Sequence, residues 1–186
     1  MGLYVHSIGE IPEGAKRAYY VYLLDYGWKE PLGDAVRANI PRMMDMASRS
    51  NAVVVHGPRG VHFEDEVLSW HHIDGQDAED ILPAILVSTR HPSTFRESFS
   101  PKRSGHSPED GLLLIPLRKL CSSPEQVVEL VRKVFADIKH GKRLKDFSIA
   151  KRIRRGVSGA IVDAVILQPN FAGVGVDVRK LFGGKR

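Results

Sequence analysis

Two short stretches of this chain pair an imidazole with a guanidinium directly after an apolar run: His56-Gly57-Pro58-Arg59-Gly60 and Ser88-Thr89-Arg90-His91. Imidazoles exchange protons near neutral pH. Guanidinium groups hold phosphates and carboxylates through paired hydrogen bonds, and glycine leaves backbone N–H donors open to a ligand. His56, Arg59, Ser88, Thr89, Arg90 and His91 are therefore expected to line an anion-binding crevice, with Asp25 and Arg118-Lys119 following two further apolar runs. In open parallel sheets ligands lie beyond the carboxyl ends of the strands, which is where these residues fall if each run is a strand.

A second chemical feature is a dense basic stretch. Lys139, Lys142, Arg143, Lys145, Lys151, Arg152, Arg154 and Arg155 fall within 17 residues, opposed only by Asp137 and Asp146. Such density attracts polyanions through counterion release without reading a base sequence. The expected polyanion contacts are Lys142, Arg143, Lys145, Lys151, Arg152, Arg154 and Arg155. Only Phe147 interleaves them, so the aromatic platform of single-strand binders is missing, and too few bulky aromatics line an apolar face for interfacial membrane binding.

Other constellations carry less. His71-His72-Ile73-Asp74, with Asp77, Glu79 and Asp80 behind it, has metal-ligand residue types but reads as a solvated acidic face, and no metal is assigned. Asp137-Ile138-Lys139 matches the Asp-x-Lys tail of metal-dependent nucleases, yet it ends a helix where those enzymes need a strand. Cys121 is the single cysteine, lacks zinc-type spacing and reads as structural, which fits a reducing, cytoplasmic setting. Phosphate-loop, nucleophile-elbow and His-Glu-x-x-His motifs are absent. Gly173-Val174-Gly175 lacks the third glycine of a dinucleotide loop. No cofactor is specified.

The elements that position these residues follow from hydrophobic spacing. Ala18–Leu24, Ala52–His56, Ala84–Ser88 and Leu112–Ile115 are short apolar runs rich in β-branched or aromatic residues, as strands buried on both faces are. Leu32, Val36, Ile40, Met43, Met44 and Ala47 share a helical face that Pro41 must kink or divide. Phe63, Val67 and Trp70 indicate a short acidic helix, residues 74 to 82 another turn, and residues 92 to 111 a long polar loop.

The best-specified helix begins at Ser123-Pro124-Glu125-Gln126, an N-cap, a first-turn proline and a capping box. It presents Val127, Leu130, Val131, Val134 and Ile138, and Lys139-His140-Gly141 ends it. Asp146 is expected to cap a shorter helix to Arg155, followed by a β-like run from 161 to 167. A single helix over 147–165 is the competing reading, which Gly156 and Gly159 disfavour.

This alternation predicts an α/β domain over 1–186, a mostly parallel sheet with helices on both faces in the flavodoxin-like or Rossmann-like three-layer manner. The basic segment 139–155 and a C-terminal extension 168–186 lie within it. Neither a leader pattern nor a membrane-spanning apolar run is present in the sequence.

Charge is polarised along the chain. Residues 1–138 hold 15 Lys/Arg against 19 Asp/Glu, and residues 139–186 hold 12 against 3. A binding or interaction subunit whose basic region docks on a nucleic acid or an acidic protein follows from that split. The alternatives use the strand-end crevice. One is a small nucleotide- or phosphoester-processing enzyme in which Arg59 and Arg90 hold the anion and His56 or His91 moves the proton. The other is a sensor or effector that binds a nucleotide unchanged.

Overall fold

The computed structural model describes residues 1–14, 16–58, 62–71, 73, 81–97, 111–151 and 166–167. Among the described residues six strands form one sheet in the order β1-β3-β2-β4-β5-β6, with β1 at Gly2–Tyr4, β2 at Tyr19–Leu24, β3 at Ala52–His56, β4 at Ala84–Ser88, β5 at Leu112–Pro116 and β6 at Ile166–Leu167. The α/β class holds. The expected mostly parallel arrangement does not: β3 is parallel to both β1 and β2, whereas β2–β4, β4–β5 and β5–β6 are all antiparallel. Continuous apolar runs report burial on both faces and say nothing about direction, so β4 reads the same either way up.

Every residue of β2 is buried, and its side chains alternate between two apolar clusters. Tyr19, Val21 and Leu23 join Val36, Met43, Leu130 and Val134 on one face. Tyr20, Tyr22 and Leu24 join Ile8, Phe63, Val67 and Phe95 on the other. A fully buried aliphatic or aromatic side chain stabilises by roughly 1.5–3 kcal/mol relative to exposure, so this one strand anchors both halves of the core.

The helix around Pro41 is divided, as the ring requires. Helix α1 (Pro31–Ala38) stops and α2 (Ile40–Ser48) restarts around Asn39, whose side-chain amide donates to the Ala35 carbonyl at 2.8 Å. Helices α3 (Phe63–Trp70), α4 (Ser93–Glu97) and α5 (Leu117–Leu120) are short. Helix α6 (Pro124–Lys139) matches the sequence expectation at both ends, with His140 as its C-cap and Gly141 at φ +61°. Its cap differs in detail. Gln126 Oε1 accepts from the Ser122 N–H at 2.8 Å, one residue before the expected partner.

Asp137, at the end of α6, closes the structure around the basic segment. Its side chain is 3% exposed, and it accepts from Lys142 Nζ at 2.5 Å, Ser148 N at 2.6 Å and Ser148 Oγ at 3.1 Å. The helical turn starting at Ser148 is thus capped from α6 and not from Asp146, which instead pairs with Arg143 and Lys151. Tyr19 Oη donates to the Lys142 carbonyl at 2.7 Å and ties the same bend to β2. Residues 152–165 and 168–186 lie outside the described residues, so the choice between helix and strand for 147–165 extends only to the helical 148–151 and the strand 166–167.

Burial pushes the Asp137 carboxyl up, but the Lys142 ammonium and the Ser148 donors outweigh it and hold the group below its ordinary value. Its stabilising contribution is therefore present above about pH 4 and lost as pH falls through the lowered value. Asp137→Asn is expected to cost about 2–3 kcal/mol in urea unfolding at pH 7 and to flatten the acid limb of the stability profile.

Candidate functional site

Strand direction decides which of the expected site residues meet. His56 ends β3 opposite Leu23 of β2, while Ser88 ends β4 opposite Tyr20 of β2. Three residue steps along β2 separate those rows, about 10 Å at strand rise, and the two chains leave the sheet in opposite directions. His56 and the Ser88-Thr89-Arg90-His91 turn therefore lie at opposite ends of the sheet. The expected single anionic-ligand crevice does not form from them.

At the β4 end the polar groups serve the turn. Ser88 Oγ both donates to the Arg90 carbonyl and accepts from the Arg90 N–H, each at 3.1 Å. His91 Nδ1 accepts from the Ser93 N–H at 3.2 Å, and its ring meets Tyr20 edge-on at 5.5 Å. His91 and Ser93 border a cavity of about 370 Å³ closed by Ile8, Ile11 and Trp70. Thr89 and Arg90 are half-buried in the same turn.

At the other end, beyond the carboxyl termini of β1, β2 and β3, lies a cleft of about 340 Å³. Leu23, Val36 and Ile40 form its apolar wall, Tyr4 and His56 its rim, and Asp25, Arg37 and Glu64 its polar groups, with Gly57 and Pro58 completing it. Two glycines let these elements approach. A Cβ on Gly57 would sit 2.4 Å from Phe63 Cγ, and one on Gly33 would sit 3.0 Å from Asp25 Oδ2.

Arg37 is engaged on three sides. Its guanidinium pairs with Asp25 and Asp34 and donates to the Trp28 carbonyl at 3.3 Å. Asp25 also accepts from the Gly27 N–H at 3.0 Å. Burial lowers the His56 imidazole below its ordinary value despite an opposing hydrogen bond that the ring donates to the Gly57 backbone, so the neutral form is favoured. Arg118 lies at this end of the sheet but bonds to Glu30 at 2.9 Å and stacks over Trp28. Arg59 lies outside the described residues.

Glu64 is the group that sequence reasoning missed. The first turn of α3 is Phe63-Glu64-Asp65-Glu66, where carboxylates suit the positive end of the helix. Each acid holds a different segment. Glu66 accepts from Ser7 Oγ and the Ile8 N–H at 2.7 and 2.9 Å, Asp65 from Tyr26 Oη at 2.5 Å, and Glu64 Oε1 from the Asp25 N–H at 3.2 Å. Glu64 borders the cleft and is 3% exposed, and its Oε2 has no hydrogen-bond partner among the described residues. A signal was present: Glu64 shares helical spacing with Val67, Leu68 and His71, all buried.

His71 supports the core. Its Nδ1 donates to the Val67 carbonyl at 2.7 Å, and its ring packs against Tyr22 and Phe95. No group of three or more metal-ligating side chains occurs among the described residues. His72, Asp74, Asp77, Glu79, Asp80 and Gly173-Val174-Gly175 fall outside them. Of the basic segment, Lys142, Arg143 and Lys151 are ion-paired, Lys139 and Lys145 are exposed, and Arg152, Arg154 and Arg155 lie outside the described residues. Cys121 is buried. Among the described residues no helix is long and apolar enough to cross a membrane.

No family model, curated protein or solved structure matches the chain.

Burial raises Glu64 from 4.5 to about 7, the neighbouring Asp65 adding to the effect. A carboxyl raised on folding favours the folded state below its unfolded value, and that advantage disappears as pH rises through the folded one, here from about 4.5 to about 7. The difference is on the order of 3 kcal/mol. Glu64→Gln is therefore expected to gain stability relative to the parent chain as pH climbs through this window, read by urea unfolding at a series of pH values.

Proposed function

We propose that the chain is a small-molecule-binding α/β protein whose site is the cleft beyond β1, β2 and β3, with Glu64 holding or exchanging a proton with the bound molecule. The observation that carries this reading is Glu64, nine-tenths buried, bordering a cleft of about 340 Å³ and with an Oε2 that is unpartnered among the described residues. Leaving a buried acceptor unsatisfied costs about 1–3 kcal/mol, which a ligand donor recovers. The cleft volume suits a drug-sized or smaller molecule, and its mixture of apolar wall and few convergent polar groups is the usual make-up of such sites. Binding without turnover and proton-transfer catalysis both use the same carboxyl; recovery of unaltered ligand separates them.

A fragment screen followed by methyl NMR tests the assignment. Hits are expected to move the Val36 and Ile40 methyl signals and to weaken on Glu64→Gln, while Ser93→Ala at the opposite cavity leaves them unchanged. Hits confined to the cavity beside Trp70 and His91 refute it.

A second reading keeps the basic segment as a docking surface for a nucleic acid or an acidic protein. It is supported by the stiffness of the bend, since Asp137 and Tyr19 fix residues 142–148 while Lys139 and Lys145 stay exposed. For the nucleic-acid version, replacing Lys139 and Lys145 by alanine is expected to reduce the salt slope of mixed-sequence RNA binding by about 1 for each phosphate that no longer meets a lysine. Undetectable RNA affinity of the unmodified chain at low salt removes that version.

A further inference from the structure

We propose that the molecule taken by this cleft is a small organic cation, an amine or amidinium on an apolar body, and that its capture expels a proton from Glu64. The inference rests on the cleft being a ligand site, and it reverses the sign of ligand expected from the sequence.

The charged groups around Glu64 come from every neighbouring element. After β2 stands Asp25, and α1 contributes Asp34 and Arg37. The end of β3 adds His56, and the start of α3 adds His62 and Asp65. Arg37 is the one guanidinium among the described cleft residues, and it is already shared between Asp25 and Asp34. The His56 imidazole is held neutral by burial, and His62 is paired with Asp65 at 2.9 Å on the exposed side of the helix. Two nitrogens of the cleft's described guanidinium are therefore already held by carboxylates. A carboxylate or phosphate placed beside the ionised form of Glu64 meets its lone pairs, which is repulsive in a partly desolvated site.

A cation meets the opposite arrangement. Glu64 Oε2 has no hydrogen-bond partner among the described residues, and Asp65 adds negative charge beside that carboxyl. Tyr4, 55% exposed and packed edge-on against His56 at 5.2 Å, presents a ring at the rim on which a cation can rest. Leu23, Val36 and Ile40 accept the apolar body. Glu64 is about half protonated near pH 7, so pairing with a cation must drive it to the carboxylate. The proton leaves to solvent or buffer, and the site gains one charge-assisted hydrogen bond in exchange.

Three probes of one shape and three charges test this on the full chain: benzylammonium, benzyl alcohol and benzoate. Titrations are followed by the Val36 and Ile40 methyl signals and by calorimetry in two buffers of different ionisation enthalpy. Benzylammonium is expected to bind about tenfold or more tightly than the alcohol, with net proton release. Its affinity should rise with pH up to about 7 and level off above. Glu64→Gln should remove the proton release and the pH dependence and weaken benzylammonium by about tenfold; the pH series on the unmodified chain supplies the same readout without relying on that variant.

Benzoate binding tightest in the cleft overturns the cation assignment and leaves the cleft as a ligand site. Equal affinity for ammonium and alcohol also overturns it. If none of the three moves a cleft signal, the assignment and the reading of the cleft as a ligand site fall together.

Discussion

Strand β2 has a parallel neighbour on one edge and an antiparallel neighbour on the other, and the rest of the architecture follows from that asymmetry. On the parallel side the carboxyl ends of β1, β2 and β3 coincide, so the segments after them converge and enclose the polar cleft. On the antiparallel side β4 enters at that end and leaves at the other, carrying its polar turn away. Full burial of β2 makes the arrangement hard to slip, because shifting by one residue would exchange the Tyr20–Tyr22–Leu24 set with the Tyr19–Val21–Leu23 set across the sheet.

Two buried carboxyls show how the surroundings of a single functional group divide structure from chemistry. Asp137 has an ammonium, a backbone N–H and a hydroxyl directed at its two oxygens, and it stays ionised as the clasp of a bend. Among the described residues Glu64 has only backbone donors, the Asp25 N–H and its own, and burial keeps a proton on it near neutrality. Both sit against helix termini with similar exposure, so the difference lies in the number of donors. A fully satisfied buried carboxylate holds a fold together, whereas an incompletely satisfied one retains capacity for something else.

Local physics was legible in the sequence. The first-turn proline and the glycine after the C-cap bounded α6, Pro41 divided the helix around it, and compact apolar runs located β2, β3, β4 and β5. Strand direction was not legible, because it depends on where a chain returns after α3 and no residue in β4 encodes that. The site reading inherited the error: His56 and His91 were grouped on the premise of a common strand direction. Glu64 was obscured for another reason. Three consecutive acids look like a solvated helix start, and only the spacing of Glu64 with Val67 and Leu68 betrays which one faces inward. The charge split of the sequence survives as a fact of composition, but Asp137 and Asp146 engage several described cations of its positive pole.

Helix α3 spans about 12 Å from end to end at helical rise. Glu64 in its first turn borders one cavity and Trp70, its last residue, borders the other. The two hollows at opposite ends of the sheet thus share a single rigid strut, held along its length by Phe63, Val67 and Leu68 and fastened by its acids to the strand ends and the N-terminal segment. Both hollows therefore have part of their wall in the same helix.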